Sequence, residues 1–309
     1  MKFKKILMCT LMASLLLTGC KDNSSDNSGG SGNSGGGNSA GNSSNDSKTE
    51  VTDLGITSSK PTEIAGFTGN LTDVEPKAGD LIAQIEIEGF GTIKAVLFPE
   101  AAPVGVENFQ KLADADFFDG LTIHRVIENF MFQGGSTNGD GTGGDALVND
   151  GSFGIETAQN ARHFYGALCY ANAGGQNSTQ FYIVNDKTPQ DLADFNIDGY
   201  VEIVEEGKGL IKKWSGTVYE DYYRTQTQYY QNTVDWVNGA TDEIKERYKQ
   251  KGGTPHLDGN YTVFGQVYEG FDVIGSISAA EVTYNDSGEL SKPVQDIIIK
   301  HVTVSVFGE

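Results

Sequence analysis

The feature that most limits how this chain can fold is a set of short segments in which apolar and polar residues alternate. Between Ala83 and Glu88 every second residue is apolar, and the same alternation returns between His301 and Val306. A period of two places neighbouring side chains on opposite faces of a β-strand, with one face buried and the other in water. The pattern therefore predicts a protein built mainly from half-buried β-strands.

Other segments predict further strands and two helices of the core. Pro103 suits the first turn of a helix that runs to about Ala113, and Phe271 to Ser278 forms the second helix. The glycine-rich segment 134 to 144 is expected to be a loop. Further strands are expected at 93–97, 121–133 with a break near Glu128, 165–171, 181–184, 261–268 and 294–306. Many short strands with few helices suggest a closed barrel or a sandwich.

Residues 1–19 have the pattern of a secretory signal peptide. Three lysines precede a mostly apolar segment, Ile6 to Leu17, and small residues follow before Cys20. The run Leu-Thr-Gly-Cys that ends at Cys20 resembles a bacterial lipobox, which implies cleavage before Cys20 and lipidation of its thiol. The alternative is an ordinary signal peptide with a chance cysteine. The lipobox predicts an extracytoplasmic protein that is lipid-anchored to a bacterial cell membrane.

The segment after Cys20 is expected to be a tether. Of the 28 residues from Lys21 to Lys48, 22 are Gly, Ser or Asn. Such a composition buries too little apolar surface to offset its ordering entropy, so residues 20–48 are predicted to be a flexible link. Random-coil scaling gives it a reach of roughly 30 Å. Residues 49–77 are polar and are predicted to be an irregular lead-in to a domain over 78–309.

Charge and the scarcity of cysteine and histidine exclude several classes of protein. With 42 acidic and 22 basic residues, the formal net charge is -20, so nucleic acid would be repelled and is not an expected partner. Three cysteines and four scattered histidines do not suggest a zinc site, and neither a metal nor a cofactor is expected. Cys169 lies in an apolar segment and is expected to be buried and inert.

Six blocks of residues follow one another in a particular order. The first is Ile123 to Gly135, which reads IHRVIENFMFQGG. The others are Gly141–Gly144, Ala171–Gly174, Thr179–Ile183, Pro255–Gly259 and Val263–Val267. Together they resemble the cyclophilins, the prolyl cis–trans isomerases, over about residues 78–186 and 252–306. The resemblance implies a closed eight-stranded antiparallel barrel with a capping helix at each end and a site on its outer surface.

The resemblance assigns catalysis to Arg125, Gln133 and Phe130. An Xaa-Pro amide rotates slowly because the lone pair of its nitrogen is delocalised into the carbonyl, and no nucleophile or metal is needed to change this. A hydrogen-bond donor aimed at that nitrogen would localise the lone pair, and the guanidinium of Arg125 keeps its charge and offers fixed N–H directions. Arg125 as a purely structural ion-pair partner is the alternative.

The resemblance also implies a substrate site around the catalytic residues. Phe130, Met131, Tyr182 and Leu257 would hold the proline ring, although apolar residues in strands more often belong to a core. Gln133 and the backbone of Asn172 would hold the substrate main chain. The remaining residues of the site are Thr142, Ala171, Ala173, Gln180, His256 and Tyr261. His124 is expected to be a core histidine with satisfied hydrogen bonds rather than a general base.

Four positions depart from the family pattern. Tyr182 replaces a common Phe, and His256 stands where animal members often carry Trp, which predicts weaker binding of cyclosporin. Tyr261 stands where those members have His, and Ser136 replaces a frequent acidic residue. None of these changes removes Arg125, Phe130 or Gln133.

About 65 residues, 187–251, form an insertion that compact family members lack. A helical pattern covers Val218 to Val237, and Thr241 could cap a second helix over Asp242 to Gln250, whereas Pro189 to Trp214 is ambiguous. One alternative is a helical decoration that packs its aromatic residues on the barrel. The other is a flap that selects substrates, because both ends of the insertion adjoin site segments.

These features predict a peptidyl-prolyl cis–trans isomerase that assists the folding of exported proteins at a membrane surface. Its expected partners are proline-containing segments of exported polypeptides and, through Cys20, the lipid bilayer; a monomer is expected. The alternative is a non-catalytic proline-peptide-binding or chaperone module on a lipid anchor. The presence of Arg125 and Gln133 favours the enzyme.

Overall fold

The computed structural model describes residues 54–308. The predicted signal peptide, Cys20, the tether and the first five residues of the lead-in lie outside the described residues. Within the described part, no helix has both the length and the apolar character needed to cross a membrane.

Nine strands form one curled antiparallel sheet, and two more form a separate hairpin. The strands of the sheet are β1 Leu81–Ile87, β2 Gly91–Leu97, β3 Ile123–Ile127, β4 Met131–Gly134, β5 Phe153–Gly154, β6 Ala167–Ala173, β7 Gln176–Val184, β8 Val263–Glu269 and β11 Ile299–Val306. The hairpin consists of β9 Val282–Tyr284 and β10 Leu290–Pro293. The helices described are α1 Pro103–Asp114, α2 Ile197–Lys213, α3 Tyr219–Asn238, α4 Asp242–Lys251 and α5 Phe271–Ser278.

The sheet is an open half-barrel, which corrects the closed eight-stranded barrel that the resemblance implies. Its strand order is β11-β1-β2-β8-β6-β7-β4-β3, and β5 pairs with β7 beside this path. The edge strands β3 and β11 share no ladder among the described strands. One bridge between Thr122 and Ile298, just before each edge strand begins, joins them instead. The two edges therefore approach each other without completing the ring of strand pairs.

Both faces of the sheet are buried, in two apolar clusters. The main cluster contains Phe109 of α1, Phe132, Phe181 and Phe264 of the strands, and Ile274 of α5. The second cluster lies on the other face and includes Met131, Cys169, Tyr182, Leu257 and Tyr261. Successive residues of one strand, such as Tyr182 and Ile183, belong to different clusters, as the pleat of a strand requires. The predicted helices at 103 and 271 are confirmed as the helices of the main core.

The last predicted strand is shorter than expected, because residues 294–298 form an irregular connection between the hairpin and the strand. β11 begins at Ile299 rather than Val294, and residues 290–293 pair with β9. The hairpin turn is held by Asn285, whose side-chain oxygen accepts hydrogen bonds from the backbone N–H groups of Ser287 and Glu289. Gly288 adopts the left-handed conformation (φ 81°) that this turn requires. Strands of three or four residues are too short to show a reliable period.

The insertion forms three helices, of which α3 and α4 match the prediction. Thr241 caps α4 as expected, since its hydroxyl accepts a hydrogen bond from the N–H of Ile244. The ambiguous segment forms α2. Trp236 and Tyr248 are almost completely buried, whereas Tyr219 and Tyr222 are half-exposed. Only some aromatic residues of the insertion therefore pack inward, as the helical-decoration alternative predicts; the others remain partly exposed.

The first described residues of the lead-in, 54–59, run along α3. The backbone N–H and C=O of Thr57 form hydrogen bonds with the side chain of Gln228, and Asp235 accepts one from the N–H of Ser59. The guanidinium of Arg224 donates to the backbone carbonyl of Leu54. Hydrogen bonds to α3 therefore attach the first described residues to the insertion.

Candidate active site

A row of aligned residues across three strands forms the centre of the candidate site. Arg125 of β3 lies opposite Gln133 of β4, and Gln133 lies opposite Tyr182 of β7. Side chains at aligned positions of neighbouring strands point to the same face. The pairing of these strands therefore brings together three of the predicted site residues, although up to 57 positions separate them in the chain.

Arg125 is buried and forms an ion pair with Glu289 of the β9–β10 turn. Its Nε donates to Oε2 of Glu289 at 2.6 Å and its Nη2 donates to Oε1 at 2.7 Å. Burial raises the pKa of Glu289, but the hydrogen bonds and the charge of Arg125 lower it by more, so the carboxyl pKa lies below its usual value. The third nitrogen, Nη1, lies 3.9 Å from the sulfur of Met131. The Nε–Nη2 edge of the guanidinium is thus held, and Nη1 faces the apolar residues of the site.

Glu289 is a site residue that the sequence did not reveal. It is 164 positions from Arg125 and follows a polar turn, so no periodic or motif signal connects the two.

Gln133 has a fixed amide with one unused acceptor. Its Nε2 donates to Oε1 of Gln180 at 2.9 Å, and Nε2 of Gln180 donates to the carbonyl of Gly141 at 2.8 Å. The amide oxygen of Gln133 itself, Oε1, is buried and has no hydrogen-bond partner among the described residues. A buried acceptor without a partner is costly, so this oxygen is suited to receive an N–H group from a bound chain.

Ser136 holds the loop beside Gln180. At this position the family often has an acidic residue, so the support that such a residue would give was in doubt. The hydroxyl of Ser136 donates to the carbonyl of Thr142 at 2.6 Å and accepts from the N–H of Gly141. Thr142 also receives support from Asp140, which accepts from its hydroxyl at 2.6 Å. Ser136 therefore supports this loop through hydrogen bonds without an acidic side chain.

The predicted proline-holding residues lie together in the second cluster. Met131, Tyr182 and Leu257 are fully buried and form its floor, and Phe130 packs against them. The rings of Phe130 and His256 stack with centroids 5.8 Å apart. Burial lowers the pKa of His256 to about 4, so this ring is neutral near pH 7. The arrangement is an apolar patch with an uncharged imidazole at its edge.

The hydroxyl of Tyr182, which distinguishes it from the usual Phe, points away from this patch. It forms a 2.9 Å hydrogen bond with Nε2 of His163. Nδ1 of His163 lies 2.8 Å from Asp258, which also receives hydrogen bonds from Arg162 and from the hydroxyl of Tyr248. Tyr182 is thereby fixed from below by a buried polar network, and one member of that network, Tyr248, comes from the insertion.

Ala171, Asn172 and Ala173 lie at the end of β6. The side-chain amide of Asn172 is already used, since it donates to the carbonyl of Asn260 at 3.0 Å and its oxygen accepts from the N–H of Gly175. The register of β6 against β7 shifts between Tyr170 and Asn172, so Ala171 falls at this irregularity. The rings of Tyr261 and Tyr182 meet edge to face at 6.0 Å, which joins this end of β6 to the floor.

The prediction for Cys169 is supported and that for His124 is wrong in one respect. Cys169 is fully buried and its burial raises the pKa of the thiol, so it is not a reactive group. His124 is not a general base near pH 7 either, because burial and the charge of Arg125 lower its pKa to about 4. However, neither of its ring nitrogens has a hydrogen-bond partner among the described residues, so it is not a satisfied core histidine.

Comparison with known proteins identifies the family. The family model for cyclophilin-type peptidyl-prolyl cis–trans isomerases matches residues 82–304, most of the chain. The chain belongs to this family. It is 33% identical over 216 residues to proteins of Staphylococcus haemolyticus and Staphylococcus aureus whose names place them among the peptidyl-prolyl cis–trans isomerases. The aligned region covers 69% of this chain and 86% and 87% of those two proteins.

A crystal structure of a cyclophilin-type isomerase from Cryptosporidium parvum covers 73% of this chain and 98% of its own, with a TM-score of 0.47 and 19% identity. A second structure of that protein, determined in the presence of the dipeptide Ala-Pro, gives a TM-score of 0.46.

Proposed function

We propose that this cyclophilin-type isomerase accelerates Xaa-Pro isomerisation in exported polypeptides as they fold at the outer face of a membrane. The observation that carries the proposal is the aligned row of Arg125, Gln133 and Tyr182 above one apolar patch. It combines a fixed cation, a free acceptor and a surface for a proline ring. These are the groups that rotation of a prolyl amide requires.

Rotation of the bound amide would be driven by electrostatics and positioning alone. The barrier of roughly 18–20 kcal/mol arises from delocalisation of the nitrogen lone pair. The Nη1 edge of Arg125 faces Met131, so a proline on this patch would present its nitrogen to that edge. A donor fixed before the reaction can stabilise the transition state by several kcal/mol. Because Glu289 holds the Nε–Nη2 edge, little reorientation of the guanidinium is needed.

The other residues would hold the two ends of the substrate. Phe130, Met131 and Leu257 would contact the proline ring while the preceding carbonyl rotates. Oε1 of Gln133 would accept an N–H of the substrate, since the structure leaves it unpaired. The backbone of Asn172 would bind the residue before proline, and the small side chains of Ala171 and Ala173 would leave room for its side chain.

The membrane location rests on the sequence of the N-terminus. The lipobox ending at Cys20 and the tether that follows would hold a monomeric domain within roughly 30 Å of the bilayer. Unfolded chains that emerge at the extracytoplasmic face would then be within its reach. The proposed partners are the proline-containing segments of these chains and the bilayer itself.

Arg125→Ala tests the catalytic assignment. We expect this variant to fold and to lose about a hundred-fold or more in kcat/KM on the peptide Ala-Ala-Pro-Phe, measured by protease-coupled cleavage, because the fixed donor is removed. Arg125→Lys should not restore the rate, since an ammonium lacks the fork of donors. Lys300→Ala removes an exposed cation of β11 and serves as the control.

Near-normal turnover by folded Arg125→Ala would show that the assignment of Arg125 is wrong. A wild-type protein that binds the peptide without isomerising it would favour the non-catalytic binding module.

A further inference from the structure

A groove about 750 Å³ in volume lies between helix α3 of the insertion and the turn that joins β6 to β7. One wall carries Tyr222, Thr225 and Tyr229 of α3, and the opposite wall carries Gly174 and Gly175. Compact cyclophilins lack the insertion, so α3 supplies a wall that the family fold does not. This groove is called the α3 groove below.

The α3 groove is continuous with the candidate active site. Asn172 and Tyr261 line it and also belong to the site. The rings of Tyr229 and Tyr261 lie 6.4 Å apart, edge to face, so aromatic surface runs from the site into the groove. Because Asn172 and its neighbours would hold the residue before proline, the groove begins where the amino-terminal part of a bound chain leaves the site.

Hydrogen bonds fix α3 in this position. The hydroxyl of Thr233 donates to the carbonyl of His256 at 3.1 Å, and Nδ2 of Asn260 donates to the carbonyl of Tyr229 at 3.2 Å. Nδ2 of Asn232 donates to Oδ1 of Asn260 at 3.1 Å. These bonds join the helix to the segment that carries His256 and Leu257. The groove wall is therefore attached to the site and is not a free flap.

The lining has the chemistry of a site for extended polypeptide. Tyrosine rings supply flat apolar surface, and Oε1 of Gln226 is a buried acceptor without a partner among the described residues. The amides of Asn172, Gln228, Asn232 and Asn260 also line the groove, but they are hydrogen-bonded within the protein. Arg224 is the one charged residue among the described residues of the lining, and it is paired with Glu220. Gly174 has open space where a side chain would stand, so a bound chain can approach its backbone. An uncharged wall of aromatic and amide groups does not select for charge.

We infer that the α3 groove binds about three residues on the amino-terminal side of the Xaa-Pro bond and favours aromatic side chains there. Tyr222 and Tyr229 are seven residues apart, which is about 10 Å along a helix. That length matches about three residues of extended chain. This inference rests on the proposed function, because the position of the proline defines which part of the chain enters the groove.

The test compares three peptides by exchange NMR, which measures isomerisation without a coupled protease. The probes are Ala-Ala-Pro-Phe, the same peptide extended at its amino end by Phe-Ala-Phe, and the same peptide extended at its carboxyl end by Phe-Ala-Phe. We expect the amino-terminal extension to raise kcat/KM at least five-fold and the carboxyl-terminal extension to have little effect. Aromatic contacts of the kind offered by Tyr222 and Tyr229 are strong enough for such a gain.

Two tyrosines of α3 provide matched variants. Tyr222 lines the groove, whereas Tyr219 is similarly exposed on the same helix and lies outside the lining. In Tyr222→Ala, the ratio of kcat/KM for the amino-extended peptide to kcat/KM for the short peptide should fall at least three-fold. In Tyr219→Ala this ratio should stay at the wild-type value. Thr225→Trp, which narrows the groove, should also reduce the ratio.

The outcomes separate this inference from the proposed function. If the short peptide is isomerised but neither extension matters, or both extensions help equally, the groove assignment is wrong and the isomerase remains. If no peptide is isomerised, the Kd of each peptide is measured by calorimetry. Tighter binding of the amino-extended peptide that is lost in Tyr222→Ala would then support the groove and reject the catalytic function. Equal Kd values would reject the groove.

Discussion

At the scale of single residues, the pair of Arg125 and Glu289 decides how the site is organised. A free arginine side chain samples many rotamers, and a bidentate carboxylate restricts it to one orientation. The pair leaves only Nη1 directed at the apolar patch. In the proposed function, Glu289 is therefore a positioning residue for Arg125, whose Nη1 would contact the substrate.

Glu289→Ala is expected to lower kcat about ten-fold with a smaller change in KM. Without the carboxylate, Arg125 must lose rotamer freedom at each turnover, which affects the transition state more than ground-state binding. Glu289→Gln should retain part of the rate, because its oxygen can still accept one N–H. Steady-state kinetics on the short peptide measures both constants, and Glu281→Ala, an exposed carboxylate near β9, is the control. A faster Glu289→Ala enzyme would instead show that the ion pair restrains Arg125.

The pH dependence of this pair follows from the direction of its pKa shift. The pKa of Glu289 lies below its ordinary value of 4.5, so the ion pair is complete above that pH and is lost as the pH falls through the folded-state value. The contribution of Glu289 should therefore be constant from neutral pH down to about 4.5 and disappear only below it.

The motif residues could be predicted from the sequence, and their supports could not. Arg125, Phe130 and Gln133 lie in one short segment whose order is itself the signal. Glu289 reaches Arg125 only through the hairpin turn, and His163 reaches Tyr182 through a buried network. Contacts of this kind depend on how distant elements pack, which no local pattern encodes.

At the scale of elements, a tightly packed contact of Trp236 adds to the hydrogen bonds that join helix α3 to the site. Trp236 of α3 is buried against Gly259 and beneath the guanidinium of Arg162, which lies 4.5 Å from its ring. A Cβ at Gly259 would lie 2.3 Å from the Trp236 ring. The absence of a side chain at Gly259 is therefore what allows the helix to dock.

Gly259→Ala is expected to destabilise the fold by about 2–4 kcal/mol, from backbone strain and from displacement of Trp236. Gly259 has φ 77° and Gly66 has φ 79°, but a Cβ at Gly66 would meet no atom within 4 Å. Gly66→Ala therefore measures the backbone strain alone. Urea unfolding of both variants gives the difference, and equal losses would show that the contact with Trp236 contributes nothing.

Elements with a clear period were predicted well, and short or mixed ones were not. The alternation of β1 and β11, the proline in the first turn of α1 and the Thr241 cap of α4 are local signals, and they match the structure apart from small shifts of the boundaries. The hairpin β9–β10 is too short for a period. Helix α2 combines three glycines with scattered apolar residues, so its helical face is weak in the sequence.

At the scale of the whole molecule, the insertion is part of the domain and not an appendage. Ile244 and Tyr248 of α4 are fully buried, and Tyr248 donates to Asp258 behind the residues that are predicted to hold the proline ring. The family resemblance could predict the barrel core but not this packing, because compact members have no corresponding helices. The same limit applies to the open edge between β3 and β11.

The proposed membrane location of the molecule depends on Cys20. We expect Cys20→Ser to move the protein from the membrane fraction to the soluble fraction of cells, because one lipidated cysteine is the only anchor proposed. Labelling with radioactive palmitate should mark the wild-type chain and not the variant. A variant that remains in the membrane fraction, or a wild-type chain without label, would contradict the lipobox.

The position of the N-terminal residues in the chain raises the question of whether they compete with substrate peptides for the α3 groove. Gly55 lines the groove, and residues 21–48 precede it in the chain. A segment tethered beside a binding site has an effective concentration in the millimolar range. Residues 21–48 contain neither proline nor an aromatic residue. Residues of this composition offer the groove neither a proline nor an aromatic side chain, so we do not expect them to compete with the peptides that the groove is proposed to bind.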